Sequence, residues 1–379
     1  MTKREVTATL HAGVGALDAS QWDSLAGDTN PFVSHAFLSA LERSGSVGRR
    51  TGWQAVPITI IDANGELVGV LPAYLKTHSQ GEYVFDHNWA DAWERAGGSY
   101  YPKLQIAVPF TPVPGPRLLG ADDTTAQGLI AAAQALVDEN GLSSAHATFI
   151  APEQVQMFEG AGWLIREGVQ FHWENRDYAD FEAFLASLAS RKRKAIRKER
   201  AAAQEGLEIV HLTGDAIRPE HWDAFWHFYQ DTGARKWGQP YLTRAFFDEI
   251  GSTMADKLLL ILALRDGAPI AGALNVIGAD TLYGRYWGCS EDVPFLHFEL
   301  CYYQAIDAAL ARGLTRLEAG AQGEHKLARG YLPTPTYSAH YIAHPGFRSA
   351  IADFVVRERA AMADQREFLA TLGPFKREA

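Results

Sequence analysis

"KLLLILALRDGAPIAGALNVIGADTLYGRYWGCSED", residues 257–292, decides how the rest of the chain is read. An apolar run from Leu258 meets Asp266-Gly267, and a second apolar run continues to Ile277. Asp-Gly between two such runs marks a β-hairpin turn, where positive φ is needed. The aromatic-rich stretch "TLYGRYWGCSED" (281–292) reads as a further strand. "FLHFELCYYQAIDAALARGL" (295–314) reads as a helix that stops at Arg312-Gly313, a basic last turn followed by a glycine. "TRLEAG" (315–320) reads as the closing strand.

The first half of the chain follows the same script. "WQAVPITII" (53–61), the turn "DANG" and "ELVGVLPAYL" (66–75) read as a hairpin, and "EYVFDHNWAD" (82–91) as the aromatic strand. "DTTAQGLIAAAQALVDENGL" (123–142) then reads as a helix and "SSAHATFI" (143–150) as its strand. Two copies roughly 200 residues apart, a period too long for a solenoid, imply tandem domains. We place them at 1–172 and 173–379. The second begins with a basic helix, because Phe181, Phe184, Leu185, Leu188 and Ala195 recur at helical spacing across the join. The C-terminal "FRSAIADFVVRERAAMADQREFLATL" reads as an amphipathic helix on the second domain.

The 379 residues carry a formal net charge of −10, with 47% hydrophobic and 21% charged residues, a composition that excludes a disordered chain. The first residues lack the apolar segment of a signal peptide, and no uncharged run approaches the roughly 18 residues that span a bilayer. Cys289 and Cys301 are the only cysteines, which fits a reducing cytoplasm. An acidic chain does not coat a nucleic acid, so contact with a polyanion must be local. The place for it is "ASRKRKAIRKERAAAQ" (189–204), where seven basic residues accompany Glu199 alone. Arg191, Lys194 and Lys198 share one helical face, and Arg193, Arg197 and Arg200 a neighbouring one. Such stripes suit several phosphates: tRNA, a phosphate-bearing small molecule, or an anionic membrane surface. A solvated charged face is the competing reading.

Five segments resemble the FemAB-like family of predicted N-acyltransferases, described as peptidoglycan biosynthesis or recognition proteins. They are "PFTPVPGPRLL" (109–119), "QFHWEN" (170–175), "SRKRKAIRKER" (190–200), "GCSEDVPFLHFELCYYQAID" (288–307) and "EAGAQGEHKLARGYLPTPTYSAHYI" (318–342). The resemblance implies an α/β (α+β) chain of two tandem GNAT-like acyltransferase domains. Each would hold a mixed, mostly antiparallel central sheet flanked by helices. It also implies transfer of an acyl or aminoacyl group to an amine of an anionic, cell-envelope-related acceptor. The alternative is a non-catalytic protein that binds a nucleotide-linked or peptidoglycan-type ligand. The cofactor is left unknown; the resemblance implies acyl-CoA or aminoacyl-tRNA as donor substrate, and no metal is expected. No Gln/Arg-x-x-Gly-x-Gly/Ala loop opens a helix here, a departure that speaks against acetyl-CoA and is consistent with aminoacyl-tRNA.

In a GNAT-like core the fourth and fifth strands splay apart, and the reacting groups lie at the gap. On that pattern Glu318, His325 and Glu324 are the candidate catalytic groups, with Glu318 or His325 as the base that takes the amine proton. Trp287, Glu291, His297, Glu299, Gln322, Lys326 and Arg329 are candidates for binding substrate. Lys236, before Pro240, is another. The first domain's gap offers Asp86 and Trp89, then Phe110, Thr111 and Arg117. Three further readings fare worse. His340 and His344 lie too far apart along a strand to share one zinc. Cys289 carries no cysteine-enzyme signature. Trp222, Phe225, Trp226 and Tyr229 recur at the spacing of a core face.

Overall fold

A computed structural model describes residues 6–120, 122–236, 240–320 and 323–376. Its contacts divide the chain into two units, Met1–Gly168 with Pro335–Asp364, and Val169–Thr334 with Gln365–Ala379.

The first unit begins with strands β1 (Val6–Leu10), β2 (Trp53–Ala55), β3 (Ile58–Asp62), β4 (Leu67–Leu71) and β5 (Ala73–Lys76). The expected hairpin forms, with Gly65 in its turn at φ 84°. Each of its arms is broken, however, because Pro57 and Pro72 supply no N–H to a ladder. One half of each arm joins the small sheet β1-β3-β4, and the other half joins the main sheet. That main sheet continues through β6 (Lys103–Ile106) and β7 (Ser144–Ile150). "EYVFDHNWAD" is no strand: His87–Arg95 is a helix. Trp89, Ala90 and Trp93 recur at helical spacing, and all three pack in a cluster with Tyr100 and Phe347. The helix Asp123–Glu139 forms as read and lays Ala126, Leu129, Ile130, Ala133 and Val137 into the main core.

In the second unit β8 (Leu164–Glu174, of which the part from Val169 belongs here), β9 (Glu208–Thr213), β10 (Leu258–Arg265), β11 (Ala268–Ile277), β12 (Thr281–Cys289) and β13 (Arg316–Glu318) order as β8-β13-β12-β11-β10-β9. The turn between β10 and β11 has Asp266 at φ 50° and Gly267 at φ 79°, the pair of positive angles that an Asp-Gly hairpin supplies. Leu258 through Ala263 are buried without a gap, because helices cover both faces of β10. Phe181–Ser187 and the helix from Leu296 to Ala311 pack on one face. Pro219–Lys236 and Arg244–Thr253 bring Trp222, Phe225 and Phe247 together on the other.

Two sequence readings change here. Residues 181–204 form two helices, Phe181–Ser187 and Ser190–Ala203, instead of one. The break has a cause: Ala189 donates to Pro374 O, and Lys376 donates to Ser187 O, so the C-terminal segment takes the backbone between them. The last strand, β14 (Leu332–Ile342), pairs with β7 through residues 337–342. Most of the helix Pro345–Thr371 then falls in the first unit, where Phe347, Ile351 and Val355 are buried. The residues from 173 onward are therefore not a single contiguous unit.

Candidate functional site

In the second unit β12 and β13 run parallel for three pairs, Thr281 with Arg316, Leu282 with Leu317 and Tyr283 with Glu318. They then part. On its other edge β12 loses register with β11, so that Asn275 pairs with Gly284 but Leu274 pairs with Tyr286. Arg285 is the extra residue of that bulge, and a bulge bends and twists its strand. The result is a cleft of about 90 Å³, bounded by Asn275, Gly284, Trp287, His297, Tyr302 and Ala319.

The wall opposite the sheet is the helix from Leu296, whose residues Glu299–Tyr303 form a π-helical turn. Such turns are rare and recur at functional sites. The Tyr302 hydroxyl hydrogen-bonds His325 Nε2 at 2.9 Å, and burial pushes the Tyr302 phenol well above its usual range. The His297 ring lies 5.2 Å from Trp287 and 6.4 Å from His325. Of the candidate residues, Trp287, His297 and His325 therefore gather at one place, together with Tyr302.

Glu318 does not join them. Leu317 faces the core beneath the π-helical turn, and successive strand residues face opposite sides, so Glu318 projects from the other face. There Arg285 donates to Glu318 Oε2 at 3.0 Å, and His172 Nε2 lies 4.0 Å from Oε1. Burial pushes the Glu318 carboxyl up, against the pull of Arg285. Lys326 is buried and donates to Ala319 O at 2.6 Å and Gly320 O at 2.9 Å. Burial, reinforced by Arg285, brings its ammonium down to about 7.

Other candidates have structural partners. Glu299 accepts from Arg200 at 3.0 Å, Gln204 at 2.7 Å and Gln304 at 2.7 Å, so it anchors the basic helix. Glu291 pairs with Arg265 at an exposed position. Arg329 stacks 3.5 Å over Phe298 and donates to Glu199. The whole of Gln322 and the side chains of Glu324 and Lys236 lie outside the described residues.

The basic helix divides its charge. Arg200 turns in to Glu299 and Asp307, and Arg197 pairs with Glu182. Arg193 donates to Leu188 O at the end of the preceding helix. Ile196 and Ala203 anchor the inner side. Arg191, Lys192, Lys194 and Lys198 stay exposed.

The first unit repeats the parallel pair and then closes it. β6 and β7 pair from Leu104–Ala145 to Ile106–Ala147. Beyond them Gly115 donates to Phe149 O, and Arg117 Nε donates to Thr148 O. Arg117 also donates to Val113, Gly115 and Pro116 carbonyls. Burial alone lowers its guanidinium to about 9. Phe110 and Thr111 are buried in the same segment. Asp86 and Trp89 belong to a separate buried cluster, in which Lys103 Nζ donates to Asp86 at 2.5 Å and Glu82 at 2.8 Å. Burial pushes the Asp86 carboxyl up, but Lys103 and His146 outweigh it and hold it well below the usual carboxylate range.

The sequence reading missed Asn275, Gly284, Arg285 and Tyr302. One of them carried a signal, since Asn275 is the only side chain with a polar group in "APIAGALNVIG". Among the described residues no group of three or more His, Cys, Asp or Glu residues is placed to hold a metal ion. Nor is any described helix long and apolar enough to cross a membrane.

Comparison with solved structures places these features in a known fold. FemX aligns with a TM-score of 0.56 at 13% identity, over 92% of this chain and 100% of that one. The C-terminal domain of a putative lysylphosphatidylglycerol synthetase from Agrobacterium fabrum aligns at 0.53 and 12% identity, covering 90% and 96%. L-PGS from Bacillus licheniformis aligns at 0.52 and 11%, covering 87% and 98%. At such identities the likeness shows the fold, two tandem GNAT-like domains. A search of curated protein sequences gives no match. The sequence matches the FemAB-like family, described as peptidoglycan biosynthesis/recognition, over residues 13–377. The chain belongs to that family.

Proposed function

We propose that this protein transfers an acyl or aminoacyl group to an amine of an anionic, cell-envelope-related acceptor, and that the transfer takes place in the cleft between β12 and β13. The observation that carries the reading is the parting of those strands at Gly284 and Ala319, next to a bulge and opposite a π-helical turn. Family membership and the names of the structural relatives support it: one is the C-terminal domain of a putative lysylphosphatidylglycerol synthetase, and the family is described by peptidoglycan biosynthesis/recognition.

In the proposed reaction the amine nitrogen attacks the acyl carbon. A C–N bond forms, and the C–O or C–S bond to the carrier breaks. The amine proton passes to Tyr302 Oη as the Tyr302 proton moves to His325 Nε2, and the leaving oxygen or sulfur is reprotonated from the same pair. Arg285 supplies positive charge beside the carbonyl oxygen, where negative charge develops. Glu318 holds Arg285 and does not itself take the proton. Arg191 and Lys194, on the exposed face of the basic helix, attract the phosphates of donor or acceptor.

The test is a screen of acyl-CoA and aminoacyl-tRNA donors with an amine acceptor, using His325→Ala and Glu318→Gln as controls. We expect donor-dependent product with the native protein and a loss of at least about 10²-fold with His325→Ala. Acceptor binding without consumption of any donor contradicts the transferase reading and favours a binding protein.

A further inference from the structure

The cleft ends in a polar atom that no described residue satisfies. Asn275 is fully buried on β11. Its Nδ2 faces the carbonyl oxygens of Leu259 and Ala273, each at 3.4 Å. Two acceptors on that side settle the amide orientation, amino group toward the carbonyls and Oδ1 away from them. Among the described residues Oδ1 has no hydrogen-bond partner. It looks across Gly284, where a Cβ would come within 3.2 Å of it. Glycine at that position keeps the space in front of the oxygen open.

An unpartnered buried carboxamide oxygen costs about 1–3 kcal/mol. Leucine would complete the apolar run of β11 without that cost, so packing alone does not explain an asparagine. The volume of about 90 Å³ holds about six water-sized groups. Among the described residues its lining includes no carboxylate and does include Arg285, which disfavours a cationic occupant. Trp287 and Tyr302 supply apolar walls.

We propose that this cleft is the side-chain pocket for the transferred group and selects a short, hydroxyl-bearing acyl group of about six heavy atoms, whose O–H donates to Asn275 Oδ1. The word "acyl" rests on the transferase reading above; the recognition itself does not. A site that hydrogen-bonds a substrate hydroxyl discriminates strongly against the analogue that lacks it.

The test titrates the full chain with lactamide and with isobutyramide, which replaces the hydroxyl by a methyl group, and follows the Trp287 indole N–H, which lines the cleft in native and variant proteins alike, by NMR. The expected result is a preference for lactamide of at least about tenfold. That preference disappears in Asn275→Leu, whose melting temperature stays equal or rises because an unsatisfied polar group has gone. Gly284→Val, which fills the space, binds neither amide. Equal affinity for the two amides, no binding of either, or a preference that survives in Asn275→Leu overturns the inference. Lactoyl-CoA and isobutyryl-CoA separate this proposal from the one it rests on. If the lactamide preference holds and no donor is ever consumed, the pocket stands and the transferase reading falls. If both acyl groups are transferred at equal rates, the transferase stands and the pocket assignment falls.

Discussion

Two parallel strand pairs, β6–β7 in the first unit and β12–β13 in the second, have the same length and opposite endings. Past Ile106 and Ala147 the chain's own segment 113–117 moves in beside β7, and Arg117 gathers four backbone carbonyls around one guanidinium. Past Tyr283 and Glu318 nothing among the described residues fills the space in front of Asn275. A filled gap satisfies its polar groups internally and so serves stability. An open one leaves polar groups for a ligand, at a cost that a structural role does not require.

The sharpest way to break this comparison is to remove the plug. Arg117→Met takes the partner from four buried carbonyls, and we expect a loss of about 3–5 kcal/mol in denaturant unfolding. A loss below about 1 kcal/mol would mean that the first gap is not held by Arg117. In the second unit the corresponding large effect falls on turnover. His325→Ala lowers kcat by about 10²-fold or more while the melting temperature holds, because His325 is exposed.

Lys326 gives a smaller effect with a definite sign. Its ammonium titrates near 7 in the folded chain, against an ordinary value of 10.5. Between those values the unfolded chain binds the extra proton, so stability rises with pH across that window, by up to about 1.4 kcal/mol per pH unit. Lys326→Met removes that contribution, and pH-dependent denaturation of the two proteins measures it. The smallest effect on stability belongs to the exposed basic face. Arg191→Glu with Lys194→Glu changes stability by no more than about 0.5 kcal/mol. It raises KM for a phosphate-bearing substrate at low salt, and the difference fades at high salt. A KM that does not respond at any salt removes this face from substrate binding.

Much of this contrast was legible in the residues, but not where it matters most. Asn64-Gly65 and Asp266-Gly267 announce their hairpins because few other dipeptides accept the backbone angles required. The strand and helix order of the second unit follows from apolar runs of ordinary length. The helix His87–Arg95 escaped because its aromatic residues suggest a strand more strongly than Trp89, Ala90 and Trp93 suggest a helical face. Glu318 illustrates a deeper limit. Its distance along the chain from His325 is short, yet strand alternation turns it to the other side of the sheet. The break at Leu188–Ala189 depends on a segment nearly two hundred residues away in sequence, which no local pattern reports. Asn275 was visible as a polar residue in an apolar strand, but only the bulge at Arg285 shows what it faces.

The most direct measurement of the central claim is product formation by mass spectrometry across the donor panel, comparing the native protein with Gly284→Val and Arg117→Met. The account predicts N-acylated product from the native protein and none from Gly284→Val at an unchanged melting temperature. Arg117→Met, assayed below its lowered melting temperature, keeps its turnover. Equal product from the native and Gly284→Val proteins, or turnover lost in Arg117→Met while it remains folded, contradicts the assignment of chemistry to the cleft of the second unit.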